Sequence, residues 1–334
     1  MPGAQERVLR RRIASTQNMK KITRAMELIA ATRVVKAQQA ANDARPYSEH
    51  ITEVIRDLAE AGTSVDHPLL RPASGEGPVG VVVLSSDRGL AGAYNSSVIR
   101  AAEREIMAAR SAGRGYRLVT IGRKAEGYFR FRNYDIEASW SGFTEKPSYV
   151  EARDIAAKVS DLFTSGTVDT VELVYTQFIS MGTQRVTVRR FLPLETEGLE
   201  GVDEDLGPSA AFEFEPSAAA VLEALLPRYV ESRLFAALLD AAASELSARQ
   251  RAMKSATDNA QELIIKLQRK MNQARQDAIT TEIMEIIGGA EALEADKGDE
   301  DDLLLDRLDS DLFPTLQAAH QFNRHAHTHQ ETPS

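Results

Sequence analysis

Between Ala4 and Arg45 the chain has no Gly, Pro or aromatic residue, and apolar side chains recur at Met19, Ile22, Met26 and Ile29, at spacings of three, four and three. Ala, Arg, Lys, Gln and Met dominate this stretch, all good helix formers. It reads as one helix with a coiled-coil seam, extending roughly 63 Å at about 1.5 Å per residue. Pro46 is expected to interrupt or kink it, and a further helical stretch, Ile51 to Ala61, stops at Gly62 before a loop rich in Pro and Gly through Pro78. The other end repeats the pattern, because Arg228 to Ile287 runs 60 residues without Gly or Pro, roughly 90 Å as a helix. Ala260, Leu263, Leu267, Met271, Ala274 and Ala278 keep a three-four rhythm there, and Ile279, Ile283, Ile286, Ala290 and Leu293 continue on a neighbouring row. Gly288 and Gly289 weaken this helix without necessarily ending it. No compact domain needs helices this long, and the two are natural partners.

The region between them changes period. The run Val79 to Ser86 reads as a strand buried on both faces, followed by a turn at Asp87 to Gly92, a helix through about Ala112 and a second strand, Tyr116 to Gly122. This β-α-β unit continues into a short helix near Arg123 to Arg132, a strand around Ile136 and a helix from about Ser148 to Phe163. Two strands, Val171 to Phe178 and Gln184 to Phe191, then form a hairpin across Ser180 to Thr183. The fold class expected is a small Rossmann-like α/β domain (78–194) between an N-terminal shaft helix (1–61) and a C-terminal one (217–293), with an acidic loop (195–216) and an acidic, disordered tail (294–334).

Charge sharpens the division. Residues 1–45 carry ten Lys or Arg against three acids, 191–216 hold eight acids and no Lys or Arg, and 294–334 hold ten acids against three bases, within a net charge of −9. The basic arm fits a solvated helix face, a nucleic-acid patch or a mitochondrial presequence. The helical pattern runs past residue 40 without a small-residue cleavage break, which speaks against the last. With no Cys in 334 residues, disulfides, thiolate zinc sites and cysteine nucleophiles are excluded.

Candidate chemistry is sparse. The turn Ser86 to Asn95 sits where a dinucleotide-binding fold has its phosphate loop, but Gly89 and Gly92 do not make G-x-G-x-x-G, and no P-loop occurs anywhere. The glycines serve a tight strand-to-helix turn instead. His325, His327 and His329 alternate in a segment without a scaffold for a metal, and His50 and His67 are isolated. Asp87 reads as a turn cap, and Asp258 and Glu262 as helix surface charges. The chain is expected neither to catalyse a reaction nor to require a cofactor, and by itself neither to bind nor to hydrolyse ATP.

Three separated motifs carry a resemblance. RRRIASTQNMKKITRAMELIAATRVVKAQ (Arg10 to Gln38), SSDRGLAGAYN (Ser85 to Asn95), and AMKSATDNAQELI with NQARQDAITTEIMEIIGGAEAL (Ala252 to Ile264 and Asn272 to Leu293) resemble the gamma-subunit family of the F-type ATP synthases. Ala91 and Ala93 stand where relatives often have Cys and Gly, and the tail after Leu293 has no counterpart in the family pattern. The resemblance implies that the terminal helices wind as an antiparallel coiled coil inside a ring of three alpha and three beta subunits, which bind the nucleotides. The α/β domain would meet the epsilon subunit and the membrane ring of c subunits. By matching motif positions, Lys20, Lys21, Arg24 and Met26 are the upper-shaft contacts near the beta subunits. Arg249, Gln276 and Thr280 are the positions that meet the beta-subunit catch loops.

The first residues lead directly into the motif-bearing helix, from which a bacterial, peripheral protein on the cytoplasmic face of the membrane is expected. Two rival readings are an autonomous α/β enzyme, which requires a bound substrate, and a nucleic-acid-binding coiled coil, which requires affinity falling steeply with salt.

Overall fold

The computed structural model describes residues 4–60, 67–194 and 217–295. The acidic loop 195–216 and nearly all of the tail expected from residue 294 lie outside the described residues. The elements are α1 (Ala4–Glu60), β1 (Val79–Leu84), α2 (Tyr94–Ser111), β2 (Tyr116–Ile121), α3 (Arg123–Phe131), β3 (Ile136–Trp140), α4 (Tyr149–Thr164), β4 (Thr170–Phe178), β5 (Gln184–Leu192) and α5 (Ala218–Ala295).

The strands form one sheet in the order β3-β2-β1-β4-β5, with β1 to β4 parallel and β5 antiparallel to β4. Each residue of β1 is buried, as a central parallel strand covered on both faces requires. Val79, Val81 and Val83 face α2 and α3, packing with Ile106, Ala125 and Phe129. Val82 and Leu84 face the opposite core, built from α4, the end of α1 (Ile51, Ile55, Leu58) and the first half of α5 (Leu222 to Ala241). The sheet is therefore the middle layer, and the long helices are bolted onto one of its faces. Gly122, where β2 turns into α3, has φ +92°, and a Cβ there would lie 2.3 Å from the Ser85 carbonyl oxygen. Only glycine fits this turn.

Two expectations about the helices are corrected. Pro46 does not divide the N-terminal helix, which runs unbroken to Glu60, and α5 begins ten residues before Arg228 and contains Pro227. A proline removes one backbone bond. At Pro46 the affected turn is exposed, and both helices gain more from packing on the sheet than that bond costs. Gly288 and Gly289 lie inside α5.

The chain divides into two compact units, residues 12–266 and the two chain ends, represented among the described residues by 4–11 and 267–295. This division cuts both long helices. Within residues 12–266, Lys20 Nζ donates to Gln261 Oε1 at 2.7 Å and Thr257 Oγ1 donates to Thr23 Oγ1 at 2.9 Å. Numbers rise on one helix as they fall on the other, so the pair is antiparallel.

Candidate subunit-contact surface

The row of α1 turned inward is Ile13, Thr16, Lys20, Thr23, Glu27, Ala30 and Val34, buried or half-buried at alternating spacings of three and four. On α5, Met253, Thr257, Ala260 and Ile264 are its buried counterparts. The three-four rhythm is as expected, but its phase is not. Met19, Ile22 and Ile29 are each more than half exposed, and Leu263 is exposed where Ile264 is buried. Small and polar side chains let the helices approach closely, while the larger apolar ones are left on the outside. Exposed apolar side chains in a row mark a surface for another macromolecule.

Of the residues expected on this surface, Lys21 and Arg24 are exposed and Met26 is half-buried at its edge. Arg24 is paired with Glu27 at 2.8 Å. Lys20 is half-buried and tied to Gln261, so it belongs in part to the seam. In the unit of chain ends, Leu267 is buried, Met271 and Ala274 are half-buried, Ala278 is exposed, and Gln276 and Thr280 are exposed beside the exposed Ile279, Ile283, Met284, Ile286 and Ile287. A second apolar surface thus surrounds these two positions.

Arg249, expected like Gln276 and Thr280 to meet a beta-subunit catch loop, is engaged within this chain. It is only 6% exposed, and its guanidinium donates to Glu145 Oε1 at 2.9 Å, lies against Glu245 and reaches the Gly89 carbonyl at 3.5 Å. Within this chain its side chain is an internal tie. Glu145, on the loop between β3 and α4, also pairs with Arg33 of α1 and with Arg88, 3.6 Å away in the turn after β1. One carboxylate therefore joins both long helices to the α/β domain. Burial raises the Glu245 carboxyl to about 7 despite the neighbouring Arg249, because the nearby Glu145 adds to the penalty on a second negative charge. Asp240, five residues earlier on α5, is raised to about 6 by burial, opposed by Arg45.

Several residues of the motif at Ser85 to Asn95 hold this junction together. Ser85 Oγ donates to the Ile121 carbonyl at 3.0 Å and accepts from Ala125 N at 2.9 Å, while Asn95 Oδ1 accepts from Ser86 N at 2.9 Å. Asp87 accepts from Arg123 N, Gly142 N, Thr144 N and Thr144 Oγ1 at 2.8–3.2 Å, fastening three loops as a turn cap should. The left-handed residues of the turn are Leu90 (φ +65°) and Gly92 (φ +57°), so the conformational requirement for glycine falls on Gly92 and not on Gly89. Gly92 approaches Ala252, and Tyr94 Oη donates to the Ala241 carbonyl at 3.2 Å. Helix α5 thus covers the place where a dinucleotide fold would seat its phosphates.

Glu145, Glu245 and Asp240 were not singled out in the sequence. A signal for the latter two exists. Residues 241–247, AAASELS, are all buried, and the charge stands among Ala, Ser and Leu. His67, isolated in sequence, caps the short turn Pro68–Leu70 by accepting from Leu69 N at 3.1 Å. Among the described residues no helix is long and apolar enough to cross a membrane, and no group of three or more His, Asp or Glu is placed to hold a metal. The His-bearing tail lies outside them.

A mixed sheet joined to two long terminal helices has counterparts among solved structures. A chain in a Tetrahymena thermophila mitochondrial ATP synthase structure, described as central stalk and c-ring, aligns with a TM-score of 0.54, covering 70% of this chain and 99% of that one at 24% identity. The sequence narrows the likeness, since the family described as ATP synthase matches residues 5–293. The ATP synthase gamma chains of Frankia casuarinae and Kineococcus radiotolerans are each 51% identical, covering 87% of this chain and 98% and 97% of theirs. The chain belongs to the ATP synthase gamma-chain family.

Proposed function

We propose that the chain is the central-stalk rotor of an F-type ATP synthase, passing proton-driven rotation of a membrane c-ring to a ring of three alpha and three beta subunits. It is a non-catalytic subunit whose α/β domain meets the c-ring and an epsilon subunit. It works as a peripheral component on the cytoplasmic face of a bacterial membrane, in line with its bacterial relatives. Neither rival reading, enzyme or nucleic-acid binder, accounts for family membership over residues 5–293.

The observation that carries the mechanism is the junction at Glu145, where Arg33, Arg88 and Arg249 converge. A rotor must pass torque from its base to its shaft without slipping. Each proton crossing the membrane contributes about 2.3 kcal/mol per 100 mV, and that energy is delivered only as contacts that differ between the three states of the ring. The exposed row from Met19 to Ile29, with Lys21 and Arg24, and the surface around Gln276 and Thr280 are the surfaces for those contacts. A bead attached to the α/β domain, in a complex of this chain with immobilised alpha and beta subunits, should rotate when ATP is supplied. A bead that stays still on a ring actively hydrolysing ATP would refute the rotor reading.

A further inference from the structure

We propose that the cleft between α1, the turn after β1, the start of α3 and the β3–α4 loop is a binding site for a phosphate-bearing anion, held by Lys36, Arg123 and Lys146. The cleft has a volume of about 700 Å³, within the range of small-molecule sites. Its lining comes from the segments that follow β1, β2 and β3, together with α1 and α5.

Its charge balance is the reason for the assignment. Five cations line it, Arg33, Lys36, Arg88, Arg123 and Lys146, against two carboxylates, Asp87 and Glu145. Both carboxylates are already engaged. Asp87 accepts four hydrogen bonds from the surrounding loops, and Glu145 is shared by Arg33, Arg88 and Arg249. Lys36, Arg123 and Lys146 are exposed and have no acidic partner among the described residues. Three uncompensated cations on one cleft run against a chain whose net charge is −9.

The form of recognition follows. Because Asp87 occupies the backbone donors of Arg123, Gly142 and Thr144, these cannot cradle a phosphate, and the absence of a phosphate-loop motif in the turn is consistent with that. Recognition falls to side-chain cations, Lys36 and Lys146 as point charges and Arg123 as a planar fork that can bind two phosphate oxygens. Phe143, Pro147 and Leu239 supply apolar lining. The space exceeds a single phosphate ion, so pyrophosphate and the diphosphate of a nucleotide share the required chemistry. This site uses none of the residues proposed for subunit contact and stands apart from the rotor reading.

The test is calorimetric titration of the purified full chain with pyrophosphate, inorganic phosphate and ADP, at low and at raised salt. Pyrophosphate should saturate a single site, more tightly than phosphate, with affinity falling as salt rises. In the variant Lys36→Gln, Arg123→Gln, Lys146→Gln the affinity should fall about tenfold or more, with circular dichroism and thermal unfolding unchanged. If the triple variant is unfolded, the three single variants carry the comparison, each weakening binding. ADP binding as tightly as pyrophosphate identifies a nucleotide as a source of the phosphates, and markedly weaker ADP binding identifies the inorganic anion. Saturable binding that the variants leave unchanged, or no saturable binding at low salt, overturns the proposal. Absent phosphate binding, with weakened assembly of the variant onto alpha and beta subunits, overturns it as well and makes the cleft a protein contact.

Discussion

Arg249 lies between Glu145 and Glu245, and its own side chain and that of Glu245 are almost wholly shielded from water. Removing the guanidinium leaves two carboxylates facing each other with little solvent between them, and a broken buried pair costs about 3 kcal/mol or more. Arg249→Met should lower stability by that order in denaturant unfolding, and adding Glu245→Gln should recover much of it, since the two sites share one interaction. Strictly additive losses would show that the pair is not coupled. Asp240 gives a different signature. Its carboxyl is raised from 3.8 to about 6, so the folded chain holds that proton more tightly than the unfolded chain does. The stability it contributes is full below about 4 and is lost as pH rises through about 6. Asp240→Asn should therefore leave stability at pH 4 nearly unchanged and raise it at pH 7 by on the order of 2 kcal/mol. Equal effects at both pH values would exclude a titrating Asp240.

The elements were legible in the sequence to different depths. Strands and short helices fall within one or two residues of their expected limits, because Val-rich runs bounded by glycine turns leave little choice. The coiled-coil rhythm was legible too, but its phase was hidden, because apolar character does not mark the inner face here. In this chain Thr23, Glu27 and Thr257 face inward and Met19, Ile22 and Leu263 outward. A rotor reverses the usual logic, since its exterior must also bind. Truncation separates the two rows. Ile264→Ala should cost about 3 kcal/mol as a buried deletion, whereas Leu263→Ala should stay within about 0.5 kcal/mol. Thermal unfolding of the purified chain measures both, and equal losses would restore the phase read from hydrophobicity. The junction at Glu145 could not be read at all, because Arg33, Glu145 and Arg249 are joined only by the tertiary fold.

At the scale of the whole molecule, the family and its motifs were legible because they recur in three separated stretches, but which motif residues face a partner depends on the packing. The exposed row beside Lys21 and Arg24 includes Met26 at its half-buried edge, and Glu27 is already engaged by Arg24 at 2.8 Å. In Met26→Lys a further cation joins Lys20, Lys21 and Arg24. Inside a ring of alpha and beta subunits that charge would find an acidic partner in some rotary states and none in others. A bias of about 1.4 kcal/mol toward one state changes its population ratio tenfold. Assembly should survive, because Met26 is not among the fully buried seam residues. ATP hydrolysis should continue, because it is driven from the ring. Synthesis depends on the rotor leaving each state in turn and should fall further than hydrolysis. Inverted membrane vesicles read this directly as protons pumped per ATP hydrolysed. A lower ratio in the Met26→Lys enzyme places Met26 in the coupling contact, and an unchanged ratio with full assembly would show that this face of α1 is ordinary coiled-coil surface.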